Sequence, residues 1–316
     1  MLTGFGCFLV ATGGLSPVVV AHGIVGVAIV ALVPWKQVAV LRGLRRARPD
    51  VLVSVLLLVA VLVALFTGFA HSTGLLRTTP VVSAMQVHVG AGLVALLPFV
   101  WHAARRRQRA RTTDLSRRNL LLGAGVIAGA GAAYAALGGL GALLRLPGAD
   151  RRGTGSFERG SFVPEALPAT IWLFDRVPEV DRATWTVAVR SDGRTRTWAL
   201  ADLPAPSVER DVLLDCTSGW YSVQRWRGVP LAALLPEGAT GSVEVRSATG
   251  YSRLLPLTDD LLLATELGGR PLDTGHGAPL RLVVPGRRGF HWVKWVVAIE
   301  HHPDRPWWVQ VPLPLQ

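Results

Sequence analysis

Four stretches in the first half of the chain contain no Asp, Glu, Lys or Arg: 17–35, 51–70, 78–104 and 119–144. Each is long enough to cross about 30 Å of hydrocarbon as a helix, so the pattern predicts four membrane-spanning helices. An offset of 64 residues lays Thr3, Gly4 and Phe5 on Thr67, Gly68 and Phe69, Gly26 on Gly90 and Pro34 on Pro98, which marks an internal repeat. The second copy opens with a full helix at 51–70. Residues 1–12 therefore read as the outer end of a truncated helix, because either the chain starts further upstream or most of that helix has been lost. From about residue 150 the pattern turns to short alternating segments such as Trp185, Val187 and Val189, broken by turns rich in Gly, Pro and Asp. The expected architecture is a membrane α-helical bundle of four helices plus the truncated N-terminal one (1–145), a linker (146–170), and a mainly β, α+β domain (171–316).

Composition agrees with a partly lipid-embedded chain: half of the 316 residues are hydrophobic and the mean hydropathy is +0.38. The formal net charge of +12 is lopsided. Residues 1–149 hold 14 Lys and Arg against Asp50 and Asp114, while residues 150–316 hold 19 basic and 19 acidic residues. The excess sits in loops between apolar runs, so a nucleic-acid partner is not expected. Lys36, Arg42, Arg45, Arg46 and Arg48 lie in one loop; Arg105, Arg106, Arg107, Arg109, Arg111, Arg117 and Arg118 lie in another. Those loops are assigned to the cytoplasm. The connection at Arg77 is then outside, as is everything after Arg145, which places the neutral half in the periplasm or its equivalent. Ser116, Arg117, Arg118, Asn119, Leu120, Leu121 and Leu122 resemble a twin-arginine export signal with Leu121 in place of the usual aromatic residue, or are two arginines flanking a helix on its cytoplasmic side.

Ionisable residues inside apolar helices are functional candidates by default. His22, His71, His88 and His102 are such residues. His22 and His88 enter their helices at matched depth near the outer side, where two neutral imidazoles can flank the iron of a b-type haem. Gly26 and Gly90 lie one turn inward. His102, 14 residues beyond His88 on nearly the same face, would serve a second haem, although the matching helix offers Lys36 rather than a histidine. The alternative role for these histidines is hydrogen bonding between helices or anchoring at the interface.

Two cysteines, Cys7 and Cys216, give no disulfide framework. Cys7 reads as a small buried apolar residue. Cys216 stands in Leu213, Leu214, Asp215, Cys216, Thr217, Ser218, Gly219, Trp220, an apolar strand running into a loop, followed by Trp226, Arg227, Gly228, Val229, Pro230 and Leu231. A second block comprises Gly250 and Tyr251, then His276 to Gly286 (HGAPLRLVVPG), then Val293, Lys294 and Trp295. In order and spacing the two blocks resemble the sulfite oxidase superfamily of molybdopterin enzymes over roughly residues 155–305. The resemblance implies a sulfite-oxidase-like fold and a molybdenum–molybdopterin cofactor, with Cys216 ligating molybdenum and His276, Arg281 and Lys294 contacting the anionic pterin and its phosphate. Thiolate suits a high-valent metal held by dithiolene sulfurs, and Arg and Lys are the side chains that bind phosphate. Arg225, Arg227, Arg287 and Arg288 are further cofactor contacts or ordinary surface charge, with Arg225 placed among the contacts.

Two departures bear on the substrate. Sulfite-oxidising relatives usually carry Tyr where this chain has Thr265 and Arg where it has His291. Loss of that fixed charge favours a neutral small-molecule substrate such as an S-oxide or N-oxide, unless a protonated His291 substitutes at the catalytic pocket. The function expected is oxygen-atom transfer by a membrane-anchored enzyme, with electrons exchanged through haem b and the quinone pool. The rivals are sulfite oxidation and a non-catalytic membrane electron carrier.

Overall fold

The computed structural model describes residues 2–10, 16–44, 51–75, 82–105, 112–171 and 175–310. Arg45, Arg46, Arg48, Arg77, Arg106, Arg107, Arg109 and Arg111, on which the expected orientation rests, lie outside the described residues, as do the side chains of Lys36 and Arg42. The chain divides into two compact units, Met1–Phe157 and Glu158–Gln316.

The first unit is helical: α1 (Leu2–Val10), α2 (Pro17–Leu44), α3 (Val51–Thr73), α4 (Ala84–Arg105) and α5 (Arg117–Leu143). Helices α2 to α5 each contain a stretch long and apolar enough to cross a membrane. The repeat is visible as packed pairs, α1 on α2 and α3 on α4, with α5 against α2. Helix α2 does not stop near residue 35 but runs on to Leu44, passing through Pro34, and α4 likewise contains Pro98. Sequence periodicity gives no stop signal there, and helices in an apolar setting tolerate an internal proline. Helix α4 starts later than expected because Ser83 and Gln86 form a capping box: Gln86 N–H donates to Ser83 Oγ at 3.1 Å and Ser83 N–H to Gln86 Oε1 at 2.8 Å. Ser116 caps α5 by accepting from Asn119 N–H, so Arg117 and Arg118 are its first helical residues.

Residues 146–170 are not an open connection. Pro147–Asp150 and Pro164–Ala166 form short 3-10 turns, and Arg151 Nη1 donates to the carbonyls of Ser72 and Gly148. His71 Nε2 lies 2.8 Å from Gly155 O. Within the second unit, the N–H groups of Arg159 and Phe162 donate to Tyr221 O and Val223 O, so the segment is already part of the sheet edge.

The second unit holds two sheets. Strands β1 (Phe157–Glu158), β4 (Val208–Cys216), β5 (Trp220–Pro230), β8 (Leu262–Leu267), β9 (Arg270–Pro271) and β10 (Arg281–Val283) form the first, in the order β1-β5-β8-β10 with β4 on β5 and β9 on β8. Strands β2 (Thr186–Ser191), β3 (Arg194–Ala199), β6 (Ser242–Ser247), β7 (Ser252–Pro256) and β11 (Val296–His302) form the second, in the order β3-β2-β11-β6-β7. Strands β2 and β11 run parallel and the other pairs described antiparallel, giving a mixed α+β arrangement. One core joins the sheets: Val187, Val245 and Ile299 from the second meet Leu214, Trp226, Leu263 and Leu282 from the first. Burying a side chain of this size contributes about 1.5–3 kcal/mol. That fixes strand ends, and the strand ends carry the site.

Candidate functional site

Strands β4 and β5 form an antiparallel hairpin whose register closes with Cys216 opposite Trp220. The tight turn between them needs Gly219 at φ 94°, a conformation that residues with a Cβ rarely adopt. The turn presents the Cys216 thiol, half-buried, with Sγ 3.1 Å from Ser218 Oγ. A second segment, Pro285–His291, packs against this turn. A Cβ on Gly289 would lie 3.3 Å from both Cys216 Cα and Asp215 O, so only glycine permits that approach without displacement. Asp215 also forms a parallel bridge with Arg288.

Cationic side chains converge here from three elements. Arg281, from β10, is 4 % exposed; Nη1 donates to His276 O at 2.8 Å, Nε has no hydrogen-bond partner, and the guanidinium lies between the Trp226 and Trp292 rings at 5.1 and 5.4 Å. Burial pulls its pKa down to about 10 against the raising influence of the Cys216 thiol and Asp273. Lys294 sits just before β11, beside Trp295 in a left-handed conformation (φ 52°), and donates to Thr170 O and Gly275 O. Burial first, then the Arg281 charge, depress its pKa to about 7, while Cys216, Asp273 and Asp175 oppose the shift. Arg288 is 10 % exposed; its Nε lies 3.7 Å from Asp215 Oδ1, and neither Nε nor Nη1 has a hydrogen-bond partner.

The other expected contacts separate into three groups. His276 is buried, but both ring nitrogens face acceptors of the protein itself, Asp273 Oδ2 at 2.7 Å and Leu167 O at 2.9 Å. It shapes the loop that carries Gly275 and Gly277 and offers no nitrogen for the pterin. Arg225 points to solvent, where its Nε pairs with Asp211 at 3.1 Å and Glu209 at 3.5 Å; those carboxylates raise its pKa. It is a cross-strand surface pair, since Asp211 and Arg225 are opposite in the hairpin register. Arg227 is bound to Glu266 at 3.0 Å, and Arg287 lies over the Trp307 ring at 4.7 Å.

His291 ends the turn that packs on Cys216. Its Nδ1 is buried without a hydrogen-bond partner. Burial, then the charges of Arg287 and Arg253, hold its pKa down to about 3. Near neutral pH the imidazole is uncharged and does not replace the missing arginine as a cation. Thr265 Oγ1 is likewise buried and unpartnered.

Within the helical unit, α2 and α4 bring His22 and His88 together. Their Nε2 atoms are 3.5 Å apart and the rings meet edge to face at 81°, with centroids 5.7 Å apart. His88 Nδ1 lies 2.7 Å from Ala64 O, and His22 Nδ1 lies 3.0 Å from Thr3 Oγ1. The repeated glycines make room for the rings: a Cβ on Gly4 would lie 3.3 Å from His22 and one on Gly68 3.0 Å from His88. His71 is engaged with Gly155, and His102 lies in the last turn of α4. The pairing joins the two copies of the repeat.

Comparison with known proteins defines the class of the second unit. Residues 174–307 match the family model described as the oxidoreductase molybdopterin binding domain. The unit is thus a molybdopterin-binding domain of the sulfite oxidase type, an oxidoreductase module. Among individual relatives, the catalytic subunit of protein-methionine-sulfoxide reductase from Xanthomonas axonopodis pv. citri is 37% identical over 130 residues, covering 32% of this chain and 39% of that protein. Mitochondrial sulfite oxidase from Homo sapiens is 30% identical over 109 residues, covering 29% of this chain and 20% of that protein. A solved structure, the sulfane dehydrogenase SoxCD from Paracoccus pantotrophus, matches with 24% identity and a TM-score of 0.38, covering 40% of each chain. The chain spans under half the length of these relatives.

The donor set suits the cofactor that this family model implies. Arg281 Nε and Arg288 Nη1 are buried donors without hydrogen-bond partners, while Arg288 Nε is ion-paired with Asp215 at 3.7 Å; leaving such donors unsatisfied is unfavourable unless an acceptor takes them up. Both segments flank the one thiol of the unit.

Proposed function

We propose that the chain is a membrane-anchored molybdenum–pterin oxidoreductase that removes the oxygen atom from a neutral S-oxide, with electrons delivered through a b-type haem from the quinone pool. The observation that carries this reading is the Cys216 thiol flanked by Arg281, Arg288 and Lys294, two of them with unused buried donors. When bound, the molybdenum–pterin cofactor supplies a two-electron centre that exchanges an oxygen atom with substrate. Cys216 would contribute the thiolate ligand, and the three cations would hold the anionic pterin and its phosphate. The balanced conversion is an S-oxide plus two electrons and two protons to a sulfide and water. His291 favours that substrate over an anion, because burial and the neighbouring Arg287 and Arg253 charges keep its imidazole from supplying a counter-charge. The similarity to a protein-methionine-sulfoxide reductase subunit supports the same choice.

The haem belongs to the same proposal. His22 and His88, whose Nε2 atoms face one another at 3.5 Å, would supply the two imidazoles that hold the haem iron. Each also has its other nitrogen beside an oxygen, the outer-shell contact that orients metal-bound histidines. Four spans with basic cytoplasmic loops would put the molybdenum domain outside the cytoplasm, exported through the Arg117–Arg118 signal.

The test is turnover by the purified full chain. Reduced viologen should be oxidised by methionine sulfoxide or a simple alkyl sulfoxide, whereas sulfite should reduce no acceptor. Sulfite oxidation without S-oxide reduction would contradict the reading.

A further inference from the structure

Behind the turn that carries His291 lies a second buried cation. Arg253, in β7, is 1 % exposed. Its Nε donates to Phe290 O at 3.0 Å and its Nη1 to Ser252 O at 3.2 Å, while Nη2 is buried with no hydrogen-bond partner. The guanidinium stacks over the Tyr251 ring at 4.4 Å, and the Tyr251 hydroxyl donates to the same Phe290 carbonyl. One backbone oxygen thus accepts from two buried side chains, Arg253 in β7 and Tyr251 just before it. Phe290 is the residue between Gly289, which touches the Cys216 backbone, and His291. The turn's other bonds include His291 N–H to Arg288 O at 2.9 Å, Trp292 N–H to Gly289 O at 3.1 Å, Arg287 N–H to Val284 O at 3.3 Å and Trp292 Nε1–H to Arg287 O at 3.3 Å.

We propose that Arg253, with Tyr251, is a specificity-determining positioning residue: by clamping the Phe290 carbonyl it fixes the His291 imidazole at the Cys216 turn as the hydrogen-bonding partner of an S-oxide oxygen. The inference rests on the S-oxide reading of the site. Two physical consequences set Arg253 apart from an ordinary core residue. A carbonyl held by a charged donor and a phenol moves little, so His291 keeps its place when substrate enters. The buried charge also opposes protonation of His291, a neighbour it feels directly, together with Arg287. The pocket then remains a hydrogen-bonding one rather than an anion-binding one.

The experiment compares the full chain with Arg253→Met, Arg253→Lys and Tyr251→Phe, each checked for molybdenum content. The readouts are KM and kcat for methionine sulfoxide and hydrogen exchange of the Arg287–Trp292 amides. Arg253→Met should raise KM roughly tenfold, the worth of one hydrogen bond to a charged group, with kcat and molybdenum content near wild type and faster exchange in the turn. Arg253→Lys, which keeps the charge but loses the Nε fork, and Tyr251→Phe should shift both readouts the same way by smaller factors. If Arg253→Met fails to fold, Tyr251→Phe decides. Unchanged KM in a fully loaded variant, whether or not the turn exchanges faster, would overturn the proposal. A wild type that oxidises sulfite and ignores S-oxides would instead sink the functional reading, while the exchange data still report whether the clamp exists.

Discussion

The two units are built inside out relative to each other. In the helical unit large apolar side chains face outward, with Leu52 80% and Leu97 79% exposed, while the buried positions are small or polar, such as Ala60, Ala95 and His71. In the β unit Trp226, Leu263 and Val293 are fully buried and charge lies at the surface. Such an inversion is what lipid around the first unit and water around the second would produce. Against that background both units make the same exception. The helices turn His22 and His88 towards each other, and the β unit buries Arg281 and Lys294 beside Cys216. Packing alone does not favour such groups in either solvent, which is why each set is read as waiting for a ligand.

The sharpest way to break this comparison is to remove a buried cation. Arg281→Met should abolish molybdenum retention and activity yet leave the apo domain as stable as before, or more stable by about 1–4 kcal/mol, since replacing a buried charge with an apolar side chain of similar volume often stabilises. Metal content and thermal melts of the cofactor-free protein check this; a destabilised variant that still holds molybdenum would show that Arg281 serves the fold. For the helices, His22→Ala or His88→Ala should eliminate the b-type spectrum and quinone-linked turnover while sparing molybdenum and activity with soluble viologen. Normal haem content in both variants would show that other ligands hold it.

A smaller effect concerns pH. Lys294 titrates near 7 in the folded unit and about 10.4 when unfolded, so the unfolded chain binds more protons between those values. Its contribution to stability is therefore complete above the unfolded value and is lost as pH falls through about 7. Cofactor-free wild type should gain stability over that window relative to Lys294→Met, and equal slopes would contradict the assignment. The smallest effect belongs to Arg225→Gln. Its exposed pairs with Asp211 and Glu209 should be dispensable, leaving activity and melting temperature unchanged within error.

Much of this was legible from sequence, unevenly. The four apolar spans, the repeat and the switch to alternating β segments stand out because solvent imposes them along the whole element. The order of two motif blocks points to Cys216, Arg281 and Lys294, which lie close enough to influence one another, and matched depth points to His22 and His88, whose rings meet. Direction was harder to read than position. His276 and Arg225 fall in the right blocks, yet one turns both nitrogens into the protein and the other turns outward, because side-chain facing depends on loop shape and strand register. For Arg288 the sequence leaves cofactor contact and surface charge both open, and only the close approach of the Gly289 segment shows its side chain turned in beside Asp215. Arg253 carries no signal in the sequence: the carbonyl it bonds lies 37 residues away, in the turn that ends at His291.

The central claim is that Cys216 holds molybdenum, and elemental analysis of the purified full chain tests it directly. Wild type should carry molybdenum and pterin in roughly equal amounts close to one per chain. Cys216→Ser should remain folded, reveal itself by an altered molybdenum(V) resonance or lost metal, and fail to turn over any S-oxide, since an oxygen ligand is a poor substitute for thiolate. A chain that contains no molybdenum when made in cells able to synthesise the cofactor, or a Cys216→Ser variant with full turnover and an unchanged resonance, would contradict the account.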